Sequence, residues 1–194
     1  MSPTIKNLYK KFDDKVIFDG FSYIFSDTGV YVIKGKSGIG KTTILRIMSG
    51  LDKDYSGEVD GFRGRVGVAF QEYRLFPNLT ALQNVLFADF DTYSEAEIQK
   101  SEEVLFSLGF NNKDLGLLPS ELSGGMKQRV SLARAFVSSF PILLLDEPTK
   151  ELDEKNANIV REIIRSHSKD RLIIVVSHNE EDAWQLNATK IILN

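Results

Sequence analysis

A glycine-rich stretch directly after an apolar run constrains the fold of this chain more than any other feature. Residues 35–43 read GKSGIGKTT and follow the run VYVI at 30–33. Glycines let the backbone turn so that successive N–H groups face one concavity, and a helix that starts there adds the positive end of its dipole. The stretch matches the pattern G-x-x-x-x-G-K-[ST] at Gly35, Gly40, Lys41 and Thr42. It predicts a buried strand, a loop that binds nucleotide phosphates, and a helix over 42–49.

The side chains of this loop predict how the phosphates would be held. Lys41 would reach the outer phosphates, and the Thr42 hydroxyl would ligate Mg²⁺. The alternative interpretation is a flexible glycine turn with a solvated lysine. The predicted nucleotide-binding residues of the loop are Gly35, Lys36, Ser37, Gly38, Ile39, Gly40, Lys41, Thr42 and Thr43.

Continuous apolar runs alternate with helical patterns along the chain. VYVI, ILLL at 142–145 and LIIVV at 172–176 are typical of strands buried on both faces of a parallel sheet. Alternation in FSYIF at 21–25 predicts a half-buried strand. Helices are also predicted over 94–108, 124–137 and 153–166, the first with a Ser94/Glu97 capping box. We expect one α/β domain over 1–194 with a helical insertion over about 77–140.

Composition excludes several classes of protein. The absence of cysteine rules out disulfides and thiolate metal sites and agrees with a reducing compartment. A net charge of −3 argues against a general nucleic-acid binder, so no nucleic-acid partner is expected. The longest apolar runs are too short to cross a bilayer, and the first residues lack the apolar core of a secretory signal. A cytosolic location is the expectation.

A pair of carboxylates follows the second of the apolar strands. PILLLDEPT at 141–149 places Asp146 and Glu147 at the carboxyl end of that strand, where ligands of open α/β sheets bind. Beside a phosphate-binding loop, Asp146 would support Mg²⁺ and Glu147 would take a proton from an attacking water. The alternative is a solvated strand end, because charged residues are mostly exposed.

The stretch LSGGMKQRVSLARAF at 122–136 makes the interpretation more specific. Ser123, Gly124 and Gly125 form a second glycine-rich helix start, which can bind an anion. This stretch resembles the signature sequence of the ATP-binding-cassette ATPases. The resemblance implies a P-loop NTPase core with a mainly parallel sheet, a small antiparallel β part and an inserted helical subdomain. It also implies that the signature of one subunit closes over the γ-phosphate bound by another.

Further positions match the family from about residue 4 to residue 193. Gln71 matches a glutamine that senses Mg²⁺ and the attacking water, and His178 matches a histidine that contacts the γ-phosphate. Asp153 keeps the acid of the D-loop, although Lys150 and Glu151 replace the usual Ser-Ala pair. At the adenine-stacking position the match is Phe12, with Tyr9 as the nearby competitor. His167 is expected to be a surface or capping residue.

The resemblance implies a function as well as a fold. ATP and Mg²⁺ are the implied cofactors, a homodimer or paired cassette forms with ATP, and a transmembrane permease subunit is the partner. The protein would then lie at the inner face of the cell membrane. Residues 71–90, QEYRLFPNLTALQNVLFADF, resemble the face presented to that partner. The apolar residues of this stretch fill either the insertion's core or the interface: Leu75, Phe76, Leu79, Val85, Leu86 and Phe87.

Other interpretations stay open. The sequence is most similar to short cassettes of bacterial importers for small anionic or nitrogenous solutes, with a compressed antiparallel part over 50–70. A soluble cassette of iron–sulfur assembly is the alternative. A binding-only scaffold would be expected to lack Glu147 or His178, and both are present. Because the sequence stops after KIIL at 190–193, no regulatory extension is expected.

Overall fold

Two β-sheets and six α-helices make up the described part of the chain, residues 2–87 and 94–193, in the computed structural model. The strands are β1 Thr4–Phe12, β2 Lys15–Ile24, β3 Gly29–Lys34, β4 Ser56–Asp60, β5 Val66–Ala69, β6 Ile142–Asp146, β7 Leu172–Val176 and β8 Thr189–Ile192. The helices are α1 Lys41–Met48, α2 Ala81–Leu86, α3 Glu95–Ser107, α4 Gly124–Val137, α5 Glu154–His167 and α6 Glu180–Gln185. Single 3₁₀ turns lie at Asp114–Gly116 and Pro119–Glu121.

The larger sheet is parallel, with strand order β5-β6-β7-β3-β8. Alternate residues of β3, β6 and β7 point into two separate cores. Leu143 and Leu145 pack with the helices of the insertion, whereas Ile142 and Leu144 pack on the side of α1 and the small sheet. Every residue of β6 and β7 is buried, as the uninterrupted apolar runs predicted. The carboxyl ends of β6, β7 and β3 therefore lie side by side at one edge.

The smaller sheet is antiparallel, with order β2-β1-β4. Sequence alternation predicted a strand over 21–25, and the structure extends this strand back to Lys15. Within it, Phe21 and Tyr23 are half-buried while Ser22 and Ile24 are exposed, so the half-buried pattern is confirmed. Only alternate side chains of this sheet enter the core, because its other face lies toward solvent.

Helix boundaries in the insertion follow local capping chemistry. The Ser94 hydroxyl accepts from the Glu97 N–H and the Glu97 carboxylate accepts from the Ser94 N–H, so the predicted capping box is confirmed. Helix α4 occupies the predicted range. Residues 88–90 of the predicted partner face lie outside the described residues. Within the described residues, none of the helices combines the length and apolar character needed to cross a bilayer.

Candidate functional site

Three loops meet where the carboxyl ends of β3, β6 and β7 adjoin. Together with the end of β1 they surround a cavity of about 440 Å³. The cavity is lined by Phe12, Lys15, Ile17, Ser37, Gly38, Gly40, Lys41, Thr42, Thr43, Gln71, Asp146, Glu147, Lys150, Val176 and His178. The strand order explains this convergence, because residues more than 100 positions apart follow neighbouring parallel strands.

The glycine-rich loop takes a backbone path that side chains at key positions would block. Gly40, the cap of α1, has a φ of +111°, and a Cβ there would lie 2.4 Å from Ile17 Cγ2. Gly38 also has a positive φ, of +75°, but a Cβ there would meet no neighbouring atom within 4 Å. The turn therefore needs glycine at position 40 for two reasons, conformation and space.

The Lys41 ammonium crosses the inside of this loop. Its Nζ donates to the carbonyl oxygens of Gly35 at 2.8 Å and Lys36 at 3.0 Å. Burial lowers the pKa of Lys41, although the nearby Glu147 and Asp146 carboxylates oppose that effect. The lysine is thus a largely desolvated cation held at the wall of the cavity, where an anion would gain a strong interaction.

Asp146 faces Thr42 across the cavity floor. The Thr42 hydroxyl donates to Asp146 Oδ2 at 2.8 Å. Burial raises the pKa of Asp146, opposed by the Thr42 hydrogen bond and by Lys41. The other carboxylate oxygen, Oδ1, is buried and has no hydrogen-bond partner among the described residues. This unpaired carboxylate oxygen, the Thr42 hydroxyl and the Gln71 side chain line one cavity and form a set of oxygen ligands that suits Mg²⁺.

No cluster of three or more acidic or histidine side chains that could hold a metal alone exists in the described ranges 2–87 and 94–193. A magnesium site does not require such a cluster. Magnesium usually takes one or two protein oxygens and completes its shell with waters and substrate phosphates.

Glu147 is fixed by contacts from three directions. Its backbone has a φ of +53°, its N–H donates to the Val176 carbonyl at 2.8 Å, and its carbonyl accepts from Gln128 Nε2 at 3.2 Å. The His178 N–H donates to Oε2 at 3.3 Å, and His178 Nε2 lies 3.4 Å from Oε1. Burial raises the pKa of Glu147 despite the His178 hydrogen bond. The structure therefore pairs a buried carboxylate with a histidine at the cavity wall.

Gln128 is a contact that sequence reasoning did not identify. It lies on α4 within the signature stretch and is buried. Its position three residues after the glycine pair gives no signal, because a glutamine in an amphipathic helix is usually exposed. Only the packing of α4 against the end of β6 reveals that this glutamine supports the Glu147 backbone.

Phe12 and its competitor Tyr9 occupy different places. Phe12 ends β1 at the cavity mouth and is 48% exposed, and the Lys10 ammonium lies 4.6 Å from its ring centroid. Tyr9 borders a separate concavity with Asp54. An exposed aromatic ring at the mouth can stack on a base, so the geometry favours Phe12.

Four predicted site residues from other segments do not line the cavity of the single chain, and neither do Gly35, Lys36 and Ile39 of the phosphate-binding loop itself. Ser123 caps α4 by accepting from the Met126 N–H, and the Asp153 carboxylate caps α5 by accepting from Asn156. Gly124 and Gly125 follow in the first turn of α4. Ser123, Gly124, Gly125 and Asp153 thus lie at helix starts that do not form the wall of their own chain's cavity.

The altered D-loop contacts the signature helix directly. The Tyr73 hydroxyl donates to the Glu151 carboxylate, and a Cβ on Gly124 would lie 3.0 Å from Glu151 Oε2. Burial and Glu151 together raise the pKa of Tyr73 to about 12. The replacement of the usual Ser-Ala pair thus creates a polar link between the loop after β5 and the loop after β6.

Comparison with known proteins gives consistent matches. A family model described as ABC transporter matches residues 18–150. The sulfate/thiosulfate import ATP-binding protein CysA of Burkholderia mallei is 36% identical over 100% of this chain and 60% of its own length. The aliphatic sulfonates import ATP-binding protein SsuB 1 of Pseudomonas syringae is 33% identical over 95% of this chain and 77% of its own. The spermidine/putrescine import ATP-binding protein PotA of Thermotoga maritima is 35% identical over 98% of this chain and 55% of its own length.

This chain therefore spans about 60% of the length of CysA and PotA relatives. Among solved structures, a dimeric post-hydrolysis state of the ATP-binding cassette MJ0796 bound to ADP and Pi superposes with a TM-score of 0.87. It is 29% identical, over 99% of this chain and 94% of that one. A dimeric structure of MJ0796 described as a bacterial ABC transporter cassette gives the same TM-score and identity.

Proposed function

This chain belongs to the ABC transporter family, and we propose that it binds and hydrolyses ATP between two copies of itself to drive a membrane transporter. One observation supports the chemistry above all others. The Glu147 carboxylate, paired with His178, faces the same cavity as the phosphate-binding loop. A proton acceptor beside a phosphate site is the arrangement that hydrolysis of a phosphoanhydride requires.

Different residues of the cavity bind the phosphates, the base and the metal ion. The loop N–H groups and Lys41 bind the phosphates, and Phe12 stacks on the base. Thr42, Gln71 and Asp146 would hold Mg²⁺, which neutralises charge on the phosphate oxygens when bound. Phosphoryl transfer needs mainly positioning and charge stabilisation.

Glu147 orients the attacking water and accepts its proton, while the bond between the β- and γ-phosphates breaks to leave ADP and phosphate. Burial raises the pKa of this carboxylate, which makes it a stronger proton acceptor than an exposed glutamate. Lys41 and His178 stabilise negative charge on the transferred group.

A second copy of the chain supplies the missing part of the site. Ser123 and Gly125 start a helix that does not line the cavity of their own chain, and the N–H groups of a helix start can bind an anion. The dimeric state described for MJ0796 supports this arrangement. Asp153, at the neighbouring D-loop, would lie at the same interface.

The proposed partner is a transmembrane permease subunit, with this protein on the inner face of the membrane. CysA, SsuB and PotA are named as import ATP-binding proteins, which favours transport over a soluble assembly role. The structure divides the predicted partner face: Val85 and Leu86 are buried, and Leu75 and Leu79 half-buried. Two of its rings remain exposed, Phe76 at 42% and Phe87 at 53%, packed edge to face at 4.6 Å. An exposed aromatic pair fits the apolar centre of an interface.

The test combines turnover with capture of the partner. The tagged chain is purified from detergent-solubilised membranes of its source cells, its ATP turnover is measured, and bound proteins are identified by mass spectrometry. We expect ATP hydrolysis and recovery of a multi-spanning protein, and loss of that protein in the Phe76→Ser/Phe87→Ser variant. Phe106→Ser, at an exposed ring on α3, is the matched control that should keep it. Recovery of soluble assembly factors alone would overturn the transport assignment.

A further inference from the structure

A fully buried carboxylate lies behind the cavity, on α6. Asp182 is 0% exposed, and it accepts hydrogen bonds from three side chains. Its Oδ2 accepts from the hydroxyls of Thr149 at 2.8 Å and Ser177 at 2.5 Å, and its Oδ1 accepts from Arg161 Nε at 2.8 Å. Both carboxylate oxygens are therefore satisfied, which a charge removed from water requires.

The cation of this cluster is buried as well. Arg161 of α5 is 1% exposed and also donates to Glu154 Oε1 and to Asn158 Oδ1, each at 2.9 Å. Burial opposes its charge, but the hydrogen bonds to Asp182 and Glu154 leave the pKa of Arg161 raised. The pair is thus a fixed ionic anchor between α5 and α6, not a surface contact.

The two hydroxyl donors come from the two loops that hold the proposed catalytic pair. Thr149 is two residues after Glu147, and Ser177 directly precedes His178. The Ser177 hydroxyl also accepts from the Asn179 N–H at 3.0 Å. Ser177 therefore links the residue before His178 to the residue after it. One carboxylate oxygen therefore joins the loop after β6 to the loop after β7.

We propose that Asp182 is a positioning residue that sets the loop of Glu147 against the loop of His178 for catalysis. The proposal rests on the ATP hydrolysis proposed above. Asp182 lies behind both loops, does not line the cavity, and acts through Thr149 and Ser177. Small displacements of reacting groups lower rates strongly, so this link should affect turnover more than nucleotide binding.

Substitutions at Thr149 separate the hydroxyl from the bulk of the side chain. Thr149→Val keeps the shape and removes the donor, whereas Thr149→Ser keeps the donor and removes a methyl group. We expect kcat to fall about tenfold in Thr149→Val, with the dissociation constant for ATP unchanged, and to recover in Thr149→Ser. Ser101→Ala is the matched control, because Ser101 is also buried but donates to the Glu97 carbonyl of its own helix, α3.

A second measurement does not depend on turnover. The His178 N–H donates to Glu147, so its hydrogen exchange in the nucleotide-free chain reports the alignment of the two loops. Exchange at this amide should rise in Thr149→Val and in Ser177→Ala, and stay at the wild-type rate in Thr149→Ser and Ser101→Ala. In the Thr149→Val/Ser177→Ala double variant the losses of kcat should be less than multiplicative, since both act through Asp182.

The outcomes distinguish this inference from the proposed function. If the wild type hydrolyses ATP and Thr149→Val shows the wild-type kcat and the wild-type exchange rate at the His178 amide, the positioning role is overturned and the proposed function is not. A Thr149→Ser variant as slow as Thr149→Val would also overturn it, because packing rather than the hydroxyl would then matter. A wild type without ATP turnover would overturn the proposed function, and with it the reaction that Asp182 serves, whatever the exchange rates.

Discussion

The Thr42 hydroxyl donates to Asp146 Oδ2 at 2.8 Å, which joins the first turn of α1 to the end of β6 across 104 positions of sequence. The contact exists because β7 alone separates β6 from β3 in the sheet. It leaves Asp146 Oδ1 buried and unpaired among the described residues. A carboxylate with one paired and one unpaired oxygen can bind a cation at the phosphate site through the unpaired oxygen.

Thr42→Val should therefore weaken nucleotide binding only when magnesium is present. Valine keeps the shape of the side chain but removes the oxygen proposed as a ligand. We expect a loss in ATP affinity of about tenfold or more with Mg²⁺, measured by titration calorimetry. In excess EDTA the variant and the wild type should bind ATP equally, and a similar loss in EDTA would contradict the magnesium role.

Glu147→Gln should bind ATP and nearly abolish turnover. The amide keeps the size of the side chain but cannot accept the proton, so we expect kcat to fall by about 10² to 10⁴. Closed dimers should accumulate with ATP, as measured by size-exclusion chromatography with light scattering. Glu162→Gln, on the exposed face of α5, is the control and should behave as wild type. Normal turnover in Glu147→Gln would remove this residue from its proposed role.

Gly40→Ala should destabilise the chain before any nucleotide is added. Its φ of +111° is unfavourable for alanine, and the new Cβ would lie 2.4 Å from Ile17 Cγ2. We expect a loss of about 2 kcal/mol or more in the free energy of unfolding, measured by urea titration. Gly116→Ala, where a Cβ meets nothing within 4 Å, is the control. Equal stability of the two variants would show that the loop adjusts at no cost.

Tyr73→Phe should cost more stability at neutral pH than at high pH. Burial and Glu151 raise the pKa of Tyr73 from 10.0 to about 12, so the unfolded chain loses this proton first. The stabilisation that the protonated Tyr73 hydroxyl provides is present below pH 10 and is lost as the pH rises through 12. We expect wild type to exceed the variant by about 1 kcal/mol at pH 8, and by less at pH 11, in urea unfolding.

The Glu151→Gln background provides the control for this pH dependence. Without the carboxylate, the effect of Tyr73→Phe on the free energy of unfolding should vary less between pH 8 and pH 11. A constant difference across this range in the wild-type background would contradict the proposed ionisation of Tyr73.

Local chemistry explains what could be predicted. The phosphate-binding loop follows from glycine conformations and a helix start within nine residues, and the Ser94/Glu97 capping box from hydrogen bonds within one turn. Uninterrupted apolar runs predicted the buried strands, since a strand buried on both faces has no polar side. In the loop and the capping box the interacting groups are close in sequence, so the pattern contains the whole interaction. For the strands, the apolar run alone indicates burial on both faces but not the packing partners.

Contacts between distant segments could not be predicted in this way. The apolar residues near Gln71 separated into buried Val85 and exposed Phe87 only when α2 packed on α4. No sequence pattern indicated that Asp182 is buried, because a carboxylate in a short acidic helix is ordinarily exposed.

The sequence alone thus determined the phosphate loop, four of the eight strands and four of the six α-helices of the described residues, and the family resemblance. Tertiary structure alone decided that Asp182 is buried between Arg161 and two loop hydroxyls. The physical reason is that a buried charge is stable only where several segments bring its partners together. Strand order, which no local pattern encodes, determines which segments those are.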